Sequence, residues 1–172
     1  MGVSIPIRLT LAESGAVALA EIAHDLDAAL DAMAFLVALD NNHRLWLTLS
    51  DVAHRCGWRA PDRRLASFVT ATSCQAGRGV DDEAVEALIG INLDVATELA
   101  AGQDMDTIRR RALLAWREAA PSHGLDMERW LIGEMARKSR MVVSDVSHAG
   151  RYRPEARPRI IPAPTSAPPR LL

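Results

Sequence analysis

The chain is poor in cysteine and has no long apolar run. Its 172 residues include only Cys56 and Cys74, which are too few for a disulfide framework and lie outside any CxxC spacing. We expect both to be free thiols packed as small apolar side chains. Aliphatic stretches such as 16–20 and 33–39 are far shorter than the ~20 residues of a membrane-spanning helix. Acidic residues interrupt the N-terminal region where a signal peptide would be apolar. We therefore expect a cytoplasmic protein that has no membrane partner.

An excess of charge of one sign and the usual catalytic motifs are also missing. The net charge of −2 at pH 7 gives no whole-chain reason to expect nucleic acid as a partner. The sequence contains no P-loop, GxGxxG, HExxH, GxSxG or EF-hand spacing. We therefore predict a non-enzymatic protein with no catalytic, cofactor-binding or metal-binding residues and no cofactor.

The composition that is present is helical. Ala, Leu, Glu, Asp and Arg dominate, and runs of β-branched residues with period-two alternation are missing, which predicts an all-α bundle of about five to six helices. Propensity leaves open whether Asp40-Asn41-Asn42 separates the first two helices or lies inside one long helix. Apolar spacing and flanking Gly and Pro residues predict a first helix from Leu11 or Ser14 to Leu39 and a second helix that ends at Gly57. Further helices are predicted over 62–75, 81–101, 104–119 and 126–140.

The inward-facing residues of these helices are predicted from their spacing. In the first helix, Leu30, Met33 and Val37 continue the apolar stripe, and in the third helix Phe68 is expected to face inward. The helical domain covers 1–140. Residues 142–172 hold six of the nine prolines and five arginines against two acids, so we predict that 141–172 is a disordered Pro/Arg-rich tail.

Two groups of side chains resemble sites but are explained by ordinary helix faces. His43 and His54 could share a face with Asp51, yet a third metal ligand on that face is missing. A row of carboxylates on the first helix is explained by a solvated face without catalysis. That row consists of Asp25, Asp27 and Asp31.

Residues 49–69 resemble a DNA-binding helix-turn-helix. Ala53 is a small residue in the first helix, and Gly57 follows at the turn. However, the motif expects an apolar residue ten positions after Ala53, where this chain has Arg63, and Pro61 shortens the recognition helix. A turn between two packed helices explains the same residues. A nucleic-acid-binding regulator, using this segment or the basic tail, is therefore the alternative function.

Two asparagines lie on apolar stripes. Asn42 aligns with Leu45, Trp46 and Leu49 at helical spacing, and Asn92 lies between aliphatic residues. A buried amide without partners loses ~1–3 kcal/mol of desolvation, so each should bond a carbonyl or another side chain. We prefer the interpretation that these amides fix the register of the helices. In the alternative interpretation, these side chains line a groove for a partner helix. The predicted partner-binding residues are then Asn42, Leu45, Trp46, Leu49 and Asn92.

The order of these residues resembles the flagellar biosynthesis regulator FlaF family. The resemblance covers roughly residues 24–102, and the chain would be a divergent member with a C-terminal extension. The segments that carry it are Asn42-His-Arg-Leu45-Trp46, Asp51-Val52-Ala53, a Pro-started helix with Arg64-Leu65, Leu88-Ile-Gly-Ile-Asn92-Leu-Asp-Val-Ala96, and Gly102.

The resemblance implies a small all-α protein that acts on flagellin. It would bind unassembled flagellin, or a flagellin-like protein, as a chaperone or as a regulator of its synthesis and secretion, alongside a regulator of flagellin translation. It implies no catalytic residues. The chain departs from the family in its N-terminal stretch, in the extra helices over 103–140 and in the tail. A structural interaction module is the further alternative.

Overall fold

Six α-helices make up most of the chain that the structure describes. The computed structural model describes residues 8–74 and 79–149. No β-strand occurs in these ranges, so the predicted all-α class and the number of helices are confirmed. The helices are α1 Leu11–Ala28, α2 Ala32–Cys56, α3 Arg63–Ser73, α4 Asp82–Ala100, α5 Met105–His123 and α6 Met127–Ala149.

The first helix lies at the centre of the bundle. It packs against α2, α4, α5 and α6, and its residues 13–19 are all buried. Gly15 occupies the closest approach, because a Cβ atom added there would lie 3.1 Å from Leu99 Cδ1, 3.2 Å from Leu49 Cδ2 and 3.3 Å from Met135 Cε. These three side chains come from α4, α2 and α6. The missing side chain of one glycine therefore allows four helices to meet.

The predicted first helix, 11–39, is wrong in its second part. The chain leaves α1 at Ala28 and starts α2 after Asp31, whose side chain accepts a hydrogen bond from the Ala34 backbone N–H at 2.8 Å. From there α2 continues without a break through 40–42, so the three polar residues lie inside one long helix. Because the capped break interrupts the apolar stripe, Leu30 is 98 % exposed rather than facing inward.

Two predicted helix ends also differ. Pro121 does not stop α5, because in the last turn it removes only one helical hydrogen bond, and the helix ends instead at Gly124 with φ of 61°. The sixth helix extends to Ala149, so the predicted boundary at Arg140 lies inside α6. The rest of the predicted tail, 150–172, lies outside the described residues.

The third helix is shorter than predicted and turned differently. It ends at Ser73, and its buried residues are Ala66, Val69 and Ser73, whereas Phe68 is 46 % exposed. The prediction was wrong for Phe68 because it took the wrong side of this short amphipathic helix as the side that packs against the core. The predicted end at Gln75 lies outside the described residues. By contrast, the predicted end of α2 at Gly57 is confirmed, since Gly57 is left-handed with φ of 67°.

A buried carboxylate holds the start of α1. The Glu13 carboxylate accepts from the Thr10 backbone N–H at 2.8 Å, and the Thr10 hydroxyl accepts from the Glu13 N–H at 3.1 Å. From α5, Arg111 Nη1 donates to Glu13 at 2.7 Å. Burial by itself raises the pKa of Glu13, but the hydrogen bonds from Thr10 and Arg111 outweigh it and lower the pKa below its ordinary 4.5. The charged form of Glu13 therefore stabilises the fold.

Replacing Glu13 by glutamine should make the protein less sensitive to acid. The stabilisation that the charged Glu13 carboxylate provides is complete above the unfolded-state pKa of 4.5. It is lost as the pH falls through the lower pKa of Glu13 in the folded state. We expect Glu13→Gln to lose about 1–3 kcal/mol near neutral pH. The urea midpoint of the wild type should also fall more steeply with acidification than that of Glu13→Gln. The exposed control Glu86→Gln should follow the wild type, and an equally steep fall in Glu13→Gln would contradict this account.

Candidate functional site

The polar residues that the sequence singles out on α2 and α4 form one buried chain of hydrogen bonds. Trp46 Nε1 donates to Asn92 Oδ1, Asn92 Nδ2 donates to Asn42 Oδ1, and Asn42 Nδ2 donates to Ser73 Oγ, each at 2.8 Å. All four residues are buried, and none of them is more than 3 % exposed. We call these four residues the asparagine network. It ties α2 to α3 and to α4.

The local geometry follows from helical spacing. Asn42 and Trp46 are one turn apart, so they lie on the same face of α2 and can both reach the single amide of Asn92. Each amide uses one donor and one acceptor within the network, and this satisfies groups that would otherwise lose hydrogen bonds on burial. The sequence predicted that the amides would be bonded, but it gave no signal for Ser73. The network fixes how three helices sit against one another.

The five predicted partner-binding residues all lie in the core. Asn42, Leu45, Trp46, Leu49 and Asn92 are each 0 % exposed. None of them reaches a surface that a partner could contact in this conformation. Their positions agree with the interpretation that they hold the bundle together, and a contact surface must be built from other residues.

Large apolar side chains are exposed just before α2 and in its first turns. Leu30 is 98 % exposed, Met33 70 %, Leu36 38 % and Val37 44 %. We call these four residues the α2 apolar face. Met33, Leu36 and Val37 share one side of the helix because they are three and four residues apart. An exposed apolar cluster of this kind is a candidate interaction surface. Sequence spacing missed it because the spacing continued the buried stripe of α1.

A groove of about 760 Å³ lies between the second half of α2 and α3. Leu47 and Trp58 contribute apolar surface to its lining, together with the side chains of Arg59, Arg63 and Arg64. We call it the arginine groove. It coincides with the segment that resembles a helix-turn-helix, and Arg63 is exposed at the first position of α3.

The histidines do not come together as a metal site. His43 Nδ1 lies 3.2 Å from the Thr70 carbonyl oxygen on α3, whereas His54 and Asp51 are exposed. The Asp51 carboxylate pairs with Arg55 at 2.8 Å on the same helix. In residues 8–74 and 79–149, no three His, Cys, Asp or Glu side chains are placed to hold a metal ion.

The row of three carboxylates is divided by the break after α1. Asp31 caps α2, Asp27 is exposed, and Asp25 approaches α6. Burial raises the pKa of Asp25 and of Glu128 in α6, and neighbouring carboxylates raise both further. A single fully solvated face therefore does not describe Asp25, because this residue is half-buried.

No family model, no curated protein and no solved structure matches this chain. The resemblance of residues 24–102 to the flagellar regulator family therefore depends on the short segments quoted above. None of the helices in the described ranges is long and apolar enough to cross a membrane.

Proposed function

We propose that this chain is a non-enzymatic binding protein that holds an amphipathic helix of a client protein against the α2 apolar face. The observation that supports this most is the exposure of Leu30, Met33, Leu36 and Val37 on one stretch of the chain. Apolar side chains at three- and four-residue spacing are the anchors by which amphipathic helices associate. A client helix with its own apolar stripe would cover these side chains from water.

The proposed client is flagellin or a flagellin-like protein, in the cytoplasm. This is the client class that the resemblance of residues 24–102 implies, and the α2 apolar face lies within that range. The ends of flagellin form coiled-coil helices, so a chaperone that covers their apolar stripes would keep them from associating early. A regulator of flagellin translation is the second partner that the resemblance implies.

The chemistry of the asparagine network supports binding over catalysis. Its functional groups are two carboxamides, an indole N–H and a hydroxyl, and each is already hydrogen-bonded in the core. Amides and indoles do not take up or release protons near neutral pH, and general acid–base catalysis requires groups that do. The residues on which the family resemblance depends are therefore suited to a structural role in the bundle.

Introducing charge into the α2 apolar face should weaken client binding. We expect Met33→Asp/Val37→Asp to raise the Kd for monomeric flagellin by about tenfold or more, because carboxylates would be desolvated against the client helix. Isothermal titration calorimetry with purified flagellin measures this change. The double variant should keep the wild-type circular dichroism spectrum, since both substituted side chains are exposed.

The matched control places the same charges on other helices. Leu93→Asp/Leu114→Asp replaces side chains that are 46 % and 52 % exposed on α4 and α5, and it should bind flagellin as the wild type does. If the wild-type protein shows no binding to flagellin at a concentration of about 10 μM, the flagellin client is rejected. If only the control variant loses binding, the client helix lies elsewhere.

A further inference from the structure

We propose that the arginine groove binds an acidic peptide segment that also carries an apolar side chain. The groove is separate from the α2 apolar face, which lies at the opposite end of α2. The inference therefore does not depend on the proposed client. Its occupant is defined by the two kinds of surface that the groove presents.

The charge of the groove is not neutralised within the described chain. Arg59, Arg63 and Arg64 are exposed, and none of them forms an ion pair with a carboxylate in residues 8–74 and 79–149. Six other arginines in those ranges each pair with a carboxylate: Arg44, Arg55, Arg109, Arg111, Arg129 and Arg137. Three unpaired guanidinium groups in one groove, on a chain of net charge −2, attract a partner of opposite sign.

The one carboxylate in the groove is already used by the fold. Asp62 caps α3, and its Oδ1 accepts from the Arg64 backbone N–H at 2.6 Å. It occupies the helix start where a phosphate would otherwise bind the free N–H groups. Asp62 therefore does not neutralise the three guanidinium groups, which remain available to pair with the carboxylates of a partner.

The apolar part of the lining also favours a peptide. Leu47 is 52 % exposed, and Trp58 is partly buried beside the arginines. Tryptophan and arginine are the residue types that most often carry the binding energy of protein interfaces. An apolar side chain of the peptide would lie against Leu47 and Trp58, while its flanking acids pair with the guanidinium groups. Neither surface alone would specify the occupant.

The test uses a fluorescein-labelled peptide in which leucine recurs among aspartate and glutamate residues, followed by fluorescence anisotropy. We expect the full chain to bind this peptide and to bind more weakly both a version with amides in place of the acids and a version with serine in place of leucine. Arg59→Gln/Arg63→Gln/Arg64→Gln should raise the Kd for the acidic peptide by about tenfold. The equally charged control Arg44→Gln/Arg110→Gln/Arg117→Gln should stay within about twofold of the wild type.

Four results would overturn the proposal. The first is that the wild-type chain binds the acidic peptide no better than the amide version. The second is that the groove variant, with an unchanged circular dichroism spectrum, binds the acidic peptide like the wild type. The third is that an oligonucleotide binds more tightly than the peptide and is released by the groove substitutions, which makes the groove a nucleic-acid site. The fourth is that sedimentation shows self-association that the groove variant loses, which makes a second copy the occupant.

Discussion

Replacing Asn92 by alanine should destabilise the bundle by about 2–5 kcal/mol. The substitution leaves the Trp46 indole N–H without its acceptor and the Asn42 carbonyl without its donor, and both groups stay buried. Each buried polar group that loses its partner is worth about 1–3 kcal/mol. Urea unfolding followed by circular dichroism measures the difference. A loss below about 1 kcal/mol would show that the network does not hold the helices together.

A neighbouring asparagine and a complete replacement serve as controls. Asn41 is also buried, but its side chain accepts only a 3.3 Å hydrogen bond from Arg129 Nε, so Asn41→Ala should cost less than Asn92→Ala. The triple variant Asn42→Leu/Trp46→Phe/Asn92→Leu removes both amides and the indole N–H together and leaves only the Ser73 hydroxyl of the network. Its loss should be smaller than the sum of the three single losses, because no amide or indole is left unpaired. A triple loss equal to that sum would contradict coupling between the three residues.

Replacing Gly15 by leucine should prevent the native packing of the bundle. Side chains of Leu49, Leu99 and Met135 already lie within 3.3 Å of the position that a Cβ atom would take. A leucine adds three further carbon atoms at this crossing, and overpacking by even a few methylene groups costs about 1–3 kcal/mol. We expect a loss above about 3 kcal/mol, or unfolding that is no longer cooperative, in urea titrations.

Two further glycine variants separate packing from helix propensity. Gly15→Ala places one atom at that position, and the three neighbouring atoms are ends of flexible side chains, so we expect a change within about 1 kcal/mol. Gly90 on α4 is exposed and has no atom within 4 Å of its Cβ position, so Gly90→Leu should be neutral or stabilising. If the Gly15→Leu variant were as stable as the Gly90→Leu variant, this result would contradict the central position of α1.

The helices were predictable where local signals act within a few residues. Gly57 was identified correctly as the end of α2, because a left-handed residue at that position closes a helix. The burial of Asn42 and Asn92 was also predictable, since both lie on strong apolar stripes. These features depend only on the spacing and backbone freedom of neighbouring residues.

The features that involve several helices were not predictable. The spacing of Leu30 and Met33 continues that of α1, and only the tertiary arrangement shows that the chain breaks before Asp31 and leaves them exposed. Similarly, a glycine inside a helix ordinarily indicates only a loss of helix propensity, although the fold uses Gly15 where four helices meet. Ser73 joins the asparagine network from another helix, and a single sequence gives no distance between helices.

The placement of the partner site changes for the same reason. Spacing put Asn42, Trp46 and Asn92 on helix faces, but it could not tell a face buried in the bundle from a face open to a client. Their complete burial assigns them to the scaffold. The surfaces that we propose for partners are the α2 apolar face and the arginine groove, and each of them lies beside a boundary of α2.

Hydrogen–deuterium exchange of the full chain, with and without monomeric flagellin, tests the proposed function most directly. We expect flagellin to slow exchange of backbone amides around residues 30–37, because the client helix covers the α2 apolar face and opposes fraying of this helix end. Amides beside the asparagine network should exchange slowly in both samples. Unchanged exchange over residues 30–37 at saturating flagellin would contradict the account.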